Sequence, residues 1–496
     1  MKQIKYCLPL MYLLVLCLVF TGCGAPAAEP TETRNPDLDV LDYAAVVSGS
    51  EDLASLDRFS NLQTLDLTGS DCYGDIEDYA ASHPQVSVRY DVQIGDSRYD
   101  YAIEQLSLTP ENADYDYLME HLAYLPRLVQ LDLPQTTFSA QQINDLCAAY
   151  PELTIGYTVS LLEQEIPSDV AELDLSALQP EQVDSLLEPL SKLMSVTDIY
   201  LMNADNESDL AISNVRKLMD ACPDATFHYS FELFDHMVST TDEIIELDEY
   251  IGDKREPQLR EALDILRNCT YFKLDGSGIS NEILAQIRDD YPNTKIVWRV
   301  SYGPNKSCFT DTTVVRCVDT LTSKNARNLK YCTEVEYADF GHCGALSDMS
   351  FVEYMPNLKL CIIGDSAVSD LTPFASCKNL EYLEIVNCNL IKDLSPLASC
   401  TNLKGLNLSY TFSVDDLSPL FGLQNLERLF MGRHDFDQEM IDAAREALPN
   451  CWVTDHAEPV AWIGFNYSVG WRLDDEETFA DWYAEIMDIF GYTRTI

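Results

Sequence analysis

Between residues 348 and 426 the chain repeats itself four times in register, and this limits its possible folds more than any other feature. Asp348-Met349-Ser350-Phe351, Asp370-Leu371-Thr372-Pro373-Phe374, Asp393-Leu394-Ser395-Pro396-Leu397 and Asp416-Leu417-Ser418-Pro419-Leu420 begin 22, 23 and 23 residues apart. The pairs Asn357-Leu358, Asn379-Leu380, Asn402-Leu403 and Asn425-Leu426 keep the same spacing. Each pair opens a frame such as Leu380-x-x-Leu383-x-Ile385-x-x-Cys388-x-Leu390. In a short strand Leu383 and Ile385 face inward and Glu384 outward. A small or polar residue at the Cys388 position turns the chain and serves buried backbone groups. Ser395-Pro396 reads as an N-cap and first position of a helical turn on the opposite side. No such unit can bury its apolar side alone, so neighbours must stack into a solenoid.

The frame matches the leucine-rich repeat pattern. Over about residues 345–437 the Asp-Leu-Ser-Pro-Leu and Asn-Leu elements resemble the repeats of internalin-type surface proteins of Gram-positive bacteria. That resemblance implies recognition of a partner through the strand-lined concave face. The chain departs from that family in its expected anchoring, which is by lipid at Cys23 rather than by a wall-sorting signal.

A longer module recurs upstream. His83-Pro84, Tyr150-Pro151, Cys222-Pro223 and Tyr291-Pro292 each follow a helix-period stretch and lead into an alternating strand; their prolines lie 67, 72 and 69 residues apart. Leu448-Pro449 closes the regular array in the same way. Frames such as Leu62-x-x-Leu65-x-Leu67, Leu128-x-x-Leu131-x-Leu133 and Cys269-x-x-Phe272-x-Leu274 precede the helices. The expected fold is an α/β solenoid, a leucine-rich repeat array with a parallel concave sheet and convex helices. Irregular modules of about 70 residues occupy 41–345, regular repeats of 22–23 residues occupy 346–450, and 451–496 form a C-terminal cap. In that cap Phe479, Trp482, Tyr483, Ile486 and Phe490 share one helical face, read as covering the last repeat or as docking a partner.

At the other end, Lys2 and Lys5 precede an apolar run from Leu8 to Phe20 and then Thr21-Gly22-Cys23. The run is shorter than the roughly 20 residues that span a bilayer. It reads as an export signal over 1–22 and resembles the bacterial lipoprotein signal, with Phe20 where Leu is usual. An ordinary secretory signal is the alternative. The resemblance implies lipidation of Cys23 and a membrane-anchored, extracytoplasmic protein, with 23–40 as a flexible tether. Removing 1–22 takes away Lys2 and Lys5, leaving 30 basic residues against 82 acidic ones, a net charge near −52. Such a surface repels phosphate backbones, so nucleic acid is not an expected partner. The 46% apolar content, with 27 Tyr and 18 Phe, marks a folded chain.

Catalytic chemistry has no motif here. The seven histidines fall in no metal or triad pattern, no calcium loop is present, and no pair of carboxylates stands out. No cofactor and no metal are expected, and the chain is read as a non-enzyme. Beyond Cys7, Cys17 and Cys23 there are thirteen cysteines, most read as small apolar packing residues. Cys308 and Cys317, flanking a short segment able to form a hairpin, are the disulfide candidates. The candidate ligand-binding residues are the outward-facing Ile362, Tyr382, Glu384, Lys404, Asn407, Arg428 and Phe430, with Ile362, Glu384, Asn407 and Phe430 in one cross-strand row and Ile362, Tyr382 and Phe430 as exposed anchors. Asp66, Asp132 and Asp174 make an acidic stripe upstream. The function read from this is recognition of a protein or glycan partner at the cell surface. An envelope scaffold for a complex of the same cell, and a hydrolase using two carboxylates, are the rivals.

Overall fold

The computed structural model describes residues 40–434, 436–454 and 481–491. The export signal, Cys23 and the tether lie outside the described residues. The chain divides into two compact units between Tyr157 and Thr158.

In the first unit, strands Asp42–Ala44, Thr64–Asp66 and Ser87–Arg89 pair in parallel. A hairpin, Asp91–Ile94 with Ser97–Asp100, then interrupts the stacking. Parallel pairing resumes with Gln105–Ser107, Gln130–Leu133 and the first half of Thr154–Leu161. Helices Tyr73–Ser82 and Ala140–Ala149 lie between the second and third strands of each set. The second helix starts on a capping box, with Ser139 and Gln142 satisfying each other's backbone N–H groups. Leu65, Leu67, Leu131 and Leu133, the apolar positions of the frames, are buried.

The second unit repeats this plan twice. Glu172–Asp174, Asp198–Tyr200 and Thr226–His228 pair in parallel and end in the hairpin Ser230–Leu233/His236–Ser239. Ile244–Leu247, Tyr271–Leu274 and Lys295–Gly303 follow, the last folding back on Lys306–Phe309. The upstream modules are therefore separate three-stranded parallel sheets, each closed by a hairpin, rather than part of one continuous sheet.

The continuous sheet begins at Val314, before the first Asp-Leu-Ser-Pro-Leu-type motif. Its strands are β1 (Val314–Arg316), β2 (Tyr337–Asp339), β3 (Leu360–Ile362), β4 (Tyr382–Glu384), β5 (Gly405–Asn407), β6 (Arg428–Phe430) and β7 (Trp452–Val453), all parallel and in order. The central residues Val315, Ala338, Cys361, Leu383, Leu406, Leu429 and Val453 stack into the core. Short 3₁₀ turns, Ser350–Tyr354, Thr372–Ser376, Ser395–Ser399 and Ser418–Leu420, replace α-helices between β2 and β6, while the helix Gln438–Ala447 joins β6 to β7. This is the leucine-rich repeat solenoid fold.

The motif residues have identifiable duties. The carboxylates of Asp348, Asp370, Asp393 and Asp416 accept the backbone N–H two residues on at 2.8–2.9 Å. Asp393, not Ser395, thus supplies the cap that the sequence placed on Ser395; the residue at the helical N-cap is Leu394, which has no side-chain bond. Asn379, Asn402 and Asn425 donate from Nδ2 to the carbonyls of Pro356, Lys378 and Thr401 at 2.8–2.9 Å, tying each repeat to its predecessor. At the turn position Cys343, Cys388, Thr411 and His434 bond to the carbonyls of Cys317, Ile363, Ile385 and Thr411. The residue just before each turn position, at 319, 342, 365, 387, 410 and 433, has φ between 54° and 71°. Left-handed backbone costs an L-residue about 1–2 kcal/mol, and Asp or Asn, which tolerate it best, fill three of the six sites.

All thirteen described cysteines are free thiols. The pairing of Cys308 with Cys317 is not found, because the hairpin turns at Pro304-Asn305 rather than between the two cysteines. Cys308, on the returning strand, instead brings Sγ to 3.6 Å from Cys332 Sγ. Cys317 lies buried against Thr320 Oγ1 at 3.3 Å.

Candidate binding surface

Strands β1–β7 present two rows of side chains on the face opposite the core. One row is Arg316, Asp339, Ile362, Glu384, Asn407 and Phe430; the other is Val314, Tyr337, Leu360, Tyr382, Gly405, Arg428 and Trp452. The expected row Ile362–Glu384–Asn407–Phe430 is therefore in register. Sequence reasoning missed its continuation through Asp339 and Arg316, although Tyr337-Ala338-Asp339 carries the same outward-inward-outward pattern.

Exposure differs from expectation. Ile362 is 6%, Glu384 4%, Asn407 0% and Phe430 3% exposed, so none of these is a free anchor. Tyr382, Lys404 and Arg428 are half-buried. For Ile362 the cause is the C-terminal helix Asp481–Phe490. Its Ile486 and Phe490 form one buried cluster with Leu360 and Ile362, flanked by Val314, Tyr337 and Tyr382. The helix lies on the concave side of β1–β4 and does not act as a lid on the last repeat. Phe479, and the side chains of Trp482 and Tyr483, lie outside the described residues. Arg316 Nη1 donates to the Phe490 carbonyl at 3.4 Å, placing a cation at the negative end of the helix. Burying Ile486 and Phe490 is worth about 1.5–3 kcal/mol each before ordering costs. Burial pushes the Tyr382 phenol up to about 12; Glu427, Glu381 and Glu485 push the same way and Arg428 opposes them.

Phe430 meets Trp452 edge-on, with ring centroids 6.3 Å apart, and Arg428 lies 5.7 Å from the Trp452 ring. Trp452 is 41% exposed and is the large apolar group that this face leaves open among its described residues.

Two of the candidate residues serve the fold. Asn407 Oδ1 accepts from Ser409 N at 3.0 Å and from Ser409 Oγ at 2.7 Å. The same turn is made by Asp66 with Thr68, Asp174 with Ser176 and Asp339 with Gly341. The upstream acidic stripe is thus largely a set of turn-closing carboxylates, and the signal was an Asp or Asn two residues before Thr, Ser or Gly. Thr68 and Ser176 hold the carboxyls of Asp66 and Asp174 below the usual range. Lys404 belongs to a charge ladder at the strand entrances: Lys359 pairs with Glu336 at 2.7 Å and Lys404 with Glu381 at 2.8 Å. Such cross-strand pairs contribute about 0.2–1 kcal/mol each.

Elsewhere the polar groups also pair. His228 Nε2 lies 2.8 Å from Asp198 Oδ1 and its ring stacks on Tyr200 at 4.4 Å. Arg299 pairs with Asp275 at 2.7 Å and lies over Phe309. His236, Asp248 and Glu249 gather potential ligand atoms within 4.8 Å of one another, Asp248 and Glu249 being exposed. No described helix is long and apolar enough to cross a membrane.

No family model matches the chain, and neither does any curated protein. Three solved structures that it resembles are bacterial leucine-rich repeat proteins. An internalin of Listeria monocytogenes is 15% identical, with 83% of this chain and 86% of that one covered and a TM-score of 0.24. A leucine-rich repeat protein of Leptospira interrogans is 14% identical, with 81% and 91% covered and a TM-score of 0.26. A second Listeria monocytogenes internalin, of the C2 type, is 15% identical, with 57% and 92% covered and a TM-score of 0.22. At these identities and scores no residue role passes from them to this chain.

Proposed function

We propose that the chain is a non-catalytic surface protein, exported and lipid-anchored at Cys23, that recognises a protein or glycan partner through the concave face of its repeats. The observation that carries this reading is the seven-stranded parallel sheet, which holds two side-chain rows in register on a rigid scaffold. Concave arrays of this kind suit extended recognition, because each repeat adds side chains at a fixed spacing. The open stretch around Arg428 and Trp452 is the contact region. Aromatic and arginine side chains are the groups that most often dominate binding energy.

The test is capture by residues 24–496 from host mucosal glycoproteins and, separately, from the producing cell's envelope. A specific partner lost on Arg428→Glu with Trp452→Ala, with circular dichroism unchanged, supports the reading. Unchanged capture by that variant overturns it. An envelope partner selects the scaffold form of this function and a host partner the adhesive form. Cys23→Ala releases the protein to the medium if the anchor is lipid.

A further inference from the structure

The concave side of β1–β4 already holds an occupant. Val314, Tyr337, Leu360, Ile362 and Tyr382 make an apolar floor, and Ile486 and Phe490 enter it from one side of a helix, one turn apart. Arg316 meets the last carbonyl of that helix. The occupant Asp481–Phe490 carries Asp481, Glu485 and Asp488 and no basic residue. A ten-residue helix is marginal in water alone, so its helicity depends on the floor beneath it.

From this seating we infer that the concave side of β1–β4 is a docking groove for an acidic amphipathic helix. The chain's own residues 481–490 are its resident occupant, and a partner helix enters by replacing them. The inference goes beyond the Arg428–Trp452 contact region to a second stretch of the same face, and it names the chemistry of the helix that fits there: two bulky apolar residues at i and i+4, acidic residues on the outer side, and a carboxyl-terminal helix end directed at Arg316. The resident helix belongs to the same chain, so it competes with any partner as an intramolecular ligand at an effective concentration independent of protein concentration. A partner must therefore outbid a local competitor, and the groove stays covered without one.

The experiment uses the full chain, residues 24–496, and a synthetic peptide of residues 478–494 as probe. In the variant Ile486→Asp/Phe490→Asp the groove is open, and the labelled peptide is expected to bind at least tenfold more tightly than to the unaltered chain. Adding Ile362→Ala to the opened variant is expected to weaken that binding at least tenfold. No binding to the opened, folded variant, or binding indifferent to Ile362→Ala, overturns the inference. A second reading comes from hydrogen exchange of amides 485–490 in the unaltered chain: protection supports the seated helix and exchange at unfolded rates overturns it. Partner capture sensitive to Arg428→Glu/Trp452→Ala can survive either failure, so loss of the helix groove and loss of the concave-face function are separable.

Discussion

Replacing Thr411 by Val tests whether the turn position holds the array together by hydrogen bonding or only by filling space. Thr411 is 0% exposed, and its hydroxyl donates to the Ile385 carbonyl of the preceding repeat. Valine keeps the shape and removes the donor, leaving that carbonyl buried without it, at a cost of about 1–3 kcal/mol. Serine keeps the donor and loses one methyl, about 0.8 kcal/mol. Because a solenoid need not unfold in one step, the suitable assay is local. The amides of Ile385 and Asn387 bond to the Asn407 and Ser409 carbonyls beside the substituted turn. If they exchange by local opening, Thr411→Val speeds them by about 5- to 150-fold, and Thr411→Ser by about fourfold. Exchange in the valine variant no faster than in the serine variant would refute the argument, reducing the position to packing.

Asn402→Ala removes the bond to the Lys378 carbonyl; a loss of about 0.5–1.5 kcal/mol in urea denaturation is expected, and no loss contradicts the inter-repeat tie. Gly95 has φ +56°, and a Cβ there meets Asn112 Cα at 2.9 Å. Gly95→Ala should therefore destabilise the first unit by at least about 1–2 kcal/mol, read as a lowered melting midpoint. The carboxyls of Asp348, Asp370 and Asp416 are held below the usual range by their bonds to Ser350, Thr372 and Ser418. Their stabilisation is complete above the ordinary carboxylate range and is lost as pH falls through and below it. The triple Asp→Asn variant should lose less stability than the parent between pH 5 and pH 3, and an equal loss contradicts the cap assignment. Treatment with oxidised glutathione should join Cys308 to Cys332 by thiol–disulfide exchange and leave Cys317 unlinked; a Cys308–Cys317 peptide in the digest contradicts the 3.6 Å geometry.

The repeat fold was legible because leucine spacing is a property of neighbouring residues. Leu383, Leu406 and Leu429 stand where their frames put them. The proline markers lead into the strands Ser87–Arg89, Thr226–His228 and Trp452–Val453 for the same reason. The hairpins at 91–100 and 230–239 were not read, since short alternating strands with two-residue turns look like continuations of the repeat strand. The candidate site was legible in register and not in exposure. Register follows from local frames, whereas the burial of Ile362 comes from Ile486 and Phe490, more than 120 positions away. Asn407 departs from expectation for a different reason: an outward strand position reads as free, whereas this side chain closes the turn with Ser409.

The charge ladder at the strand entrances constrains how this array can change its length. Glu336, Lys359, Glu381, Lys404 and Glu427 alternate in sign at intervals of one repeat. Excising one repeat, for instance the one that brings Lys359, sets Glu336 beside Glu381, and duplicating one sets like charges side by side. Like charges directly opposite are destabilising. Excising two neighbouring repeats restores the alternation. Recombination between such similar segments is thus filtered by parity: variants that gain or lose repeats in pairs keep the alternation of charge, and odd steps need a compensating charge reversal.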